Sequence, residues 1–206
     1  MSTNNKRLEQ YEYLQKNLGI DIYDFTEGQQ EQLALGLEQG LSIEQVQLYA
    51  NPKYDWTQMM EIRLSFVFGL SMEQVQLYAN PDYDWTQMME IRYGFEHGLS
   101  TEQVQLYANL DYDADQMEEM RLGFKGGLTI EQVQLYAESK YRWLQMRQIR
   151  EGLEHGLSAE QIQTYANPDY DWTQMKQMRK NLENNLSEEI QQEVNDYNDG
   201  FDPAEE

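Results

Sequence analysis

Residues 41–69 read LSIEQVQLYANPKYDWTQMMEIRLSFVFG, and closely similar segments follow at a fixed step of 29 residues. The five segments, called copies 1 to 5, cover residues 41–69, 70–98, 99–127, 128–156 and 157–185, and a weaker sixth opening stands at Leu186. A segment of this length cannot bury a core of its own. Neighbouring copies must therefore stack against one another.

The first half of each copy predicts a short helix, called helix A. In copy 1, Ser42 is a good N-cap, and Gln45 stands three residues later, which is the capping-box spacing. We expect helix A to begin at about Ile43 and to end at Asn51-Pro52. Its buried face is predicted to contain Val46, Tyr49 and Ala50.

The second half predicts a longer helix, called helix B, from about residue 56 to 68. Asp55 is its N-cap and Gln58 the capping-box partner. Gly69 stands where a residue with positive φ ends a helix, as do Gly98, Gly127 and Gly156, and copy 5 has Asn185 there. The core stripe of helix B is predicted to be Trp56, Met59, Ile62 and Phe66.

These signals predict an all-α fold, a right-handed α-solenoid of five 29-residue helix-turn-helix repeats with N- and C-terminal caps. Residues 1–40 form the N-terminal cap, and within them residues 23–40 echo half a repeat. Residues 41–185 hold the five copies, and 186–206 form a C-terminal cap with an acidic tail. A short cap helix is expected around residues 187–197.

The phrase Tyr-Ala-Asn-Pro-Asp-Tyr-Asp-Trp-Thr-Gln-Met, at 78–88 and 165–175, resembles tandem arrays in uncharacterised bacterial proteins, some of them carried on mobile elements. The paired short helices are similar to the tetratricopeptide-like α-hairpin class, although the 34-residue consensus of that class is absent. The resemblance covers about residues 41–185. It implies an α-hairpin array and no particular activity.

Composition excludes several functions. The formal net charge of the 206 residues is −22 and cysteine is absent, so disulfides and thiolate metal sites are excluded. The charge disfavours direct binding of nucleic acid or of an anionic membrane. Without a signal peptide or an apolar run long enough to span a membrane, the sequence predicts a cytoplasmic protein.

Catalytic and metal motifs fail when they are tested individually. The run Asp111, Asp113, Asp115 imitates the start of a calcium loop, but Gln116 and Leu122 replace the glycine and the glutamate that the loop requires. The two histidines, His97 and His155, have no catalytic partner arrangement. We expect no enzyme activity, no cofactor and no metal.

Two sets of recurring residues invite a functional interpretation, and a structural one is favoured for both. The tryptophans and methionines of helix B are expected in the core. The arginines are expected to pack between copies with their heads near an aspartate at the next helix start, although a ladder of anion-binding arginines is the alternative. The two sets are Trp56, Trp85, Trp143 and Trp172 with the Met59 position, and Arg63, Arg92, Arg121, Arg150 and Arg179.

The outward positions of helix B are apolar in copy 1 and become polar toward copy 4. The apolar end of the array is predicted either to be covered by residues 1–40, where Leu8, Tyr11, Leu14 and Leu18 have helical spacing, or to bind a partner, and covering is favoured. The residues of this end are Met60, Leu64, Val67 and Phe68.

Negative charge is concentrated in copies 2 and 3, each of net charge −4, and in the tail 183–206, of −9. We expect a non-catalytic scaffold or adaptor that presents an acidic surface to a basic region of a partner protein. The alternative is an acidic nucleic-acid mimic that inhibits a DNA- or RNA-binding enzyme, of the anti-restriction or anti-CRISPR type. The predicted acidic face comprises Asp82, Asp84, Glu90, Glu96, Asp111, Asp113, Asp115, Glu118 and Glu119.

Overall fold

The computed structural model describes the backbone of residues 3–200 and the side chains of residues 7–192, and these residues form helices and turns without a strand. The chain divides into two compact units, residues 1–117 and residues 118–206. Residues 1–117 contain α1 (Thr3–Leu18), a 3-10 turn (Ile22–Asp24), α2 (Glu27–Glu38), α3 (Ile43–Tyr49), α4 (Trp56–Val67), α5 (Met72–Gln76), α6 (Trp85–Glu96) and α7 (Thr101–Tyr107). Helix α8 (Ala114–Lys125) contains the division, and α9 (Ile130–Gln134), α10 (Trp143–Glu154), α11 (Ala159–Gln163) and α12 (Trp172–Gly200) follow.

The predicted helix pairs are present in all five copies. Helix A is α3, α5, α7, α9 and α11, and helix B is α4, α6, α8, α10 and α12. Helix A has only five or seven residues, a little shorter than expected. Isolated helices of that length do not persist in water, so packing must hold them. Helices α2, α4 and α6 pack in sequence in the first unit, and α12 packs on α10 in the second.

The predicted capping boxes are confirmed. The Ser42 hydroxyl accepts the Gln45 N–H at 3.2 Å, and Gln45 Oε1 accepts the Ser42 N–H at 2.9 Å. At the start of helix B, Asp55 Oδ1 accepts the Gln58 N–H at 2.8 Å, and Gln58 Oε1 accepts the Asp55 N–H at 2.8 Å. Each box satisfies backbone donors that a helix start leaves unpaired.

The helix-ending glycines are confirmed as well, because Gly69, Gly98, Gly127 and Gly156 all have φ between 82° and 93°. The expected stop at Asn185 is wrong. No described residue other than glycine has positive φ, and α12 continues through Asn185 to Gly200 as one helix of 29 residues. The separate cap helix at 187–197 is therefore part of α12. The acidic side chains from Glu193 onward lie outside the described residues.

The segment before copy 1 begins its helix α2 in the same way as the copies begin theirs. Thr26 caps α2 through a box with Gln29, as the equivalent residues do in the five copies. Helix α1 packs against α2 and α3. Its Leu14 is fully buried, whereas Leu8 remains 61% exposed.

In each copy a tyrosine at or just after the end of helix A packs against the preceding long helix, which is α2 for copy 1 and helix B for copies 2 to 5. The Tyr107 hydroxyl donates to the Glu90 carbonyl oxygen at 3.4 Å, and a Cβ added to Gly94 would lie only 1.8 Å from that hydroxyl oxygen. Copy 1 has Ser65 at the glycine position, and its Oγ is hydrogen-bonded to the Tyr78 hydroxyl instead. Close packing of helix A therefore depends on a small residue at this point of helix B.

We predict that Gly94→Ala lowers the free energy of unfolding by about 2 kcal/mol, because the added methyl overpacks the Tyr107 site. Adding Tyr107→Phe removes the clashing oxygen and should recover part of the loss. Thermal unfolding followed by circular dichroism measures both. A Gly94→Ala protein as stable as the parent would contradict the packing described here.

The capping-box glutamines also join successive copies. Gln58 Nε2 donates to the carbonyl oxygen of Pro81 at 3.0 Å and to that of Tyr83. Gln87 Nε2 donates to the Tyr112 carbonyl at 2.6 Å, and Gln145 makes the same contacts to Pro168 and Tyr170. Each tie connects the start of one helix B to the turn before the next. Gln29 Nε2, at the start of α2, likewise donates to the Pro52 carbonyl oxygen at 3.2 Å, so within residues 1–117 the starts of α2, α4 and α6 and the turn before α8 are held along one edge.

Gln58→Glu should therefore destabilise the protein by about 2 kcal/mol, because a carboxylate keeps the capping acceptor but faces two carbonyl oxygens without a proton to donate. Gln174→Glu is the matched control. Gln174 makes the same capping contact to Asp171 at 2.8 Å, but it is exposed and no further copy follows it. Equal losses in chemical unfolding of the two variants would show that the tie contributes nothing.

Candidate interaction surface

Every recurring arginine is buried, and in four of them Nε donates to a side chain of the preceding long helix, which is α2 for Arg63 and helix B for the other three. These four contacts place Nε of Arg63 3.0 Å from Gln32 Oε1, Arg92 2.9 Å from Glu61 Oε2, Arg150 2.8 Å from Glu119 Oε2 and Arg179 3.3 Å from Gln148 Oε1. The packing prediction is confirmed, but the expected aspartate partner is wrong. The arginine head meets a glutamate or glutamine 31 residues earlier.

These contacts remove carboxylates from the predicted acidic face. Glu90 and Glu119 are only 5% and 3% exposed, so they lie beneath the surface and their assignment to that face is wrong. Glu96 is partly exposed but forms an ion pair with Arg92. Glu118 lies 3.8 Å from Arg121 on its own helix. The glutamates of helix B are thus largely paired with the buried arginines.

Burial raises the pKa of two glutamates that hold buried arginines, Glu61 and Glu119. It raises the pKa of the Glu61 carboxyl above its usual range, although the hydrogen bond and charge of Arg92 act in the opposite direction. Burial likewise raises the pKa of Glu119 against the effect of Arg150. A carboxyl whose pKa is raised by folding binds its proton more strongly in the folded protein than in the unfolded chain.

We predict that Glu61→Gln changes the free energy of unfolding at pH 7 by less than about 1 kcal/mol, because a glutamine holds the equivalent arginine in copy 5. Glu61→Ala should cost about 3 kcal/mol, since it leaves Arg92 without its buried partner. Denaturant unfolding at several pH values measures both changes.

The sign of the pH dependence follows from the raised pKa. As the pH falls from 7 through the raised pKa of Glu61, the parent should gain stability relative to Glu61→Gln, and the gain should be complete below the ordinary glutamate pKa of about 4.3. A parent that loses stability relative to Glu61→Gln over this range would contradict the assignment.

Exposed carboxylates lie on helix A, at Glu44, Glu73 and Glu102, and in and just after the turns that precede helix B. Asp82, Asp84, Asp111, Asp113 and Asp115 are all exposed. The hydrogen bonds of Asp84 fall on Oδ1, which accepts the N–H groups of Thr86 and Gln87. Within the described residues, Oδ2 of Asp84 and both carboxylate oxygens of Asp82 and Asp111 accept no hydrogen bond. These groups are available to a cation from outside the chain.

The tryptophans lie on the same turns and are exposed, so the core prediction is wrong for them. Trp56, Trp85, Trp143 and Trp172 are 50%, 41%, 36% and 38% exposed. The methionine prediction is confirmed, because Met59 and its equivalents in the other copies are fully buried. Tryptophan is the first residue of helix B, and the helix turns only its later residues toward the core.

We call the residues Trp56, Asp82, Asp84, Trp85, Asp111 and Asp113 the tryptophan–aspartate edge. The glutamine ties align the starts of helix B in residues 1–117, and this alignment places these residues on one side of that unit. Three positions of each copy carry these charges: the turn position of Lys53, the N-cap and the second residue of helix B. In copies 1 to 3 these positions hold six aspartates and one lysine, Lys53. The same positions in copies 4 and 5 carry Lys140, Arg142, Asp169 and Asp171, so their charges balance.

The predicted apolar end is only partly covered. Met60 and Leu64 are half-buried, but Val67 and Phe68 remain 41% and 59% exposed. The Arg92 guanidinium lies 5.5 Å from the centroid of the Phe68 ring. The favoured covering by residues 1–40 is therefore wrong for Val67 and Phe68.

The described part of the chain contains few residues suited to metal binding, to membrane insertion or to histidine chemistry. No group of histidine and acidic side chains there is arranged to hold a metal ion, and no helix there has the length and apolar character to cross a membrane. His97 Nδ1 donates to the Tyr93 carbonyl at 2.7 Å, and His155 Nδ1 lies 2.8 Å from Glu183 Oε1. Both histidines occupy the C-terminal cap of a helix.

Comparisons with family models, with curated proteins and with solved structures give no significant match. The surface must therefore be interpreted from its own residues. The exposure of the tryptophans differs from the sequence-based expectation, because a residue that recurs at helical spacing is not always a buried one. The available signal was position, since a residue directly after an N-cap aspartate lies at the rim of its helix and not on its central stripe.

Proposed function

We propose that this protein is a non-catalytic interaction scaffold, an α-solenoid that presents an acidic surface to a basic region of a partner protein. The observation that carries the proposal is the division of the carboxylates. Glutamates of helix B form ion pairs with buried arginines, whereas the turn aspartates keep unpaired oxygens at the surface. A set of unpaired like charges on one side favours a partner of opposite charge and accelerates its association.

The nucleic-acid mimic is less well supported. Such a mimic must hold its carboxylates where a duplex would hold its phosphates, on the outer surface. Glu90 and Glu119, two of the carboxylates expected to act in this way, are buried. The remaining exposed groups lie on short turns, which suits a narrow basic segment better than a broad nucleic-acid channel.

The proposal predicts that the quadruple change of Asp82, Asp84, Asp111 and Asp113 to asparagine weakens binding of a poly-arginine peptide by about thirtyfold, at ~0.5 kcal/mol for each exposed ion pair. Asparagine remains a good N-cap, so the helices are kept. Isothermal titration calorimetry near physiological salt measures the affinity.

A charge-matched control separates the effect of these four aspartates on affinity from the effect of overall net charge. Changing Glu9, Glu12, Glu188 and Glu189 to glutamine neutralises four exposed carboxylates away from the turns. This control should lose less than about threefold in affinity. Equal losses in both variants would reduce the effect to overall charge, and a parent that does not bind the peptide would overturn the proposed function.

A further inference from the structure

Trp56 and Trp85 are the largest exposed apolar groups on the tryptophan–aspartate edge, and at least one of them is firmly placed. A Cβ added to Gly28 of α2 would lie 3.1 Å from both Cβ and Cγ of Trp56. The stem of Trp56 therefore packs on the preceding helix while half of the side chain stays accessible. An aromatic group held in this way can bind a ligand without first being ordered.

In copy 5 the equivalent tryptophan contacts a cation of its own helix. Lys176 Nζ lies 5.7 Å from the centroid of the Trp172 ring, within the range of a cation–π interaction. Lys176 stands four residues after its tryptophan. The equivalent residues in copies 1 and 2 are Met60 and Met89, so Trp56 and Trp85 receive no cation from that position.

The charges beside Trp56 and Trp85 favour a cation as well. Asp84 precedes Trp85 directly, Asp82 stands two residues before Asp84, and both aspartates are exposed with unpaired oxygens. A purely apolar ligand would remove these carboxylates from water without compensation. A guanidinium or ammonium group can contact the ring and a carboxylate together.

The repeat step limits the shape of the ligand. Packed helices lie about 8–10 Å apart, and this distance separates equivalent points of successive copies. A chain in the extended polyproline II conformation advances about 3.1 Å per residue with three residues per turn, so one turn spans one copy and returns the side chain to the same face. A segment in register with the edge would present a basic residue at every third position.

We propose that the tryptophan–aspartate edge binds an extended segment of a partner protein that carries an arginine or lysine at every third residue, with one basic side chain per copy. This inference rests on the proposed function and adds the register and the aromatic contacts. Copies 1 and 2 each supply a tryptophan and copy 3 supplies aspartates only, since Ala114 replaces the tryptophan there.

The test compares two peptides of about twelve residues that share one composition of arginine, glycine and serine. One carries an arginine at every third position, and the other carries its arginines as a single block. Binding to the full chain is followed by tryptophan fluorescence and by calorimetry. The spaced peptide should bind at least about tenfold more tightly, because only its cations match the copies.

A double variant, Met60→Lys with Met89→Lys, installs in copies 1 and 2 the cation that copy 5 carries. The lysine stem can follow the half-buried path of methionine while the ammonium reaches the ring. Affinity for the spaced peptide should fall about tenfold, although both tryptophans and all aspartates remain. The charge-matched control, Gln47→Lys with Gln76→Lys on helix A, should lose less than about threefold.

The outcomes distinguish the inference from the function on which it rests. Equal binding of the spaced and blocked peptides overturns the register, and equal losses in the two lysine variants overturn the aromatic contact. In both cases a loss caused by the aspartate-to-asparagine changes would leave the scaffold function standing. If those changes also have no effect, the scaffold function and this inference fall together. Circular dichroism checks that each variant keeps its helices.

Discussion

The amide of the capping-box glutamine determines both the stacking of the helices and the position of the candidate surface. In copy 1, the oxygen of Gln58 completes the cap of its own helix, while its nitrogen binds the turn before the next helix B. Only an amide can do both, because a carboxylate lacks the donor and a hydroxyl lacks the reach. This single side chain converts a local capping rule into alignment between copies.

The buried arginines impose a second constraint, which decides where negative charge can appear. A guanidinium taken out of water needs acceptors, and these come from Glu61 or Glu119 where the position is acidic and from Gln32 or Gln148 where it is neutral. Both kinds of residue supply the oxygen that Nε requires. Glu61 and Glu119 are therefore part of the interior, and the surface charge of copies 1 to 3 rests on the turn aspartates and on the exposed glutamates of helix A.

Much of the fold could be predicted because capping and helix-ending signals act within a few residues. Ser42, Asp55 and Gly69 mark helix limits that the structure reproduces. The failure at Asn185 has the same local origin, since asparagine tolerates positive φ but does not require it, and α12 continues. Signals of this kind are encoded in adjacent residues and need no knowledge of how distant copies meet.

The candidate surface could not be predicted in this way, because burial depends on contacts between copies. Trp56 and Met59 recur with equal regularity, yet Met59 is fully buried and Trp56 is half exposed. Their difference follows from position, since one lies a turn inside the helix and the other at its start. Core packing does not account for a half-exposed tryptophan, and helix propensity does not favour tryptophan at that position. Trp172 has Lys176 beside its ring, whereas Trp56 recurs at Trp85 beside unpaired aspartates and without such a lysine. The binding proposed above accounts for this difference, because the basic segment of the partner would supply the missing cation.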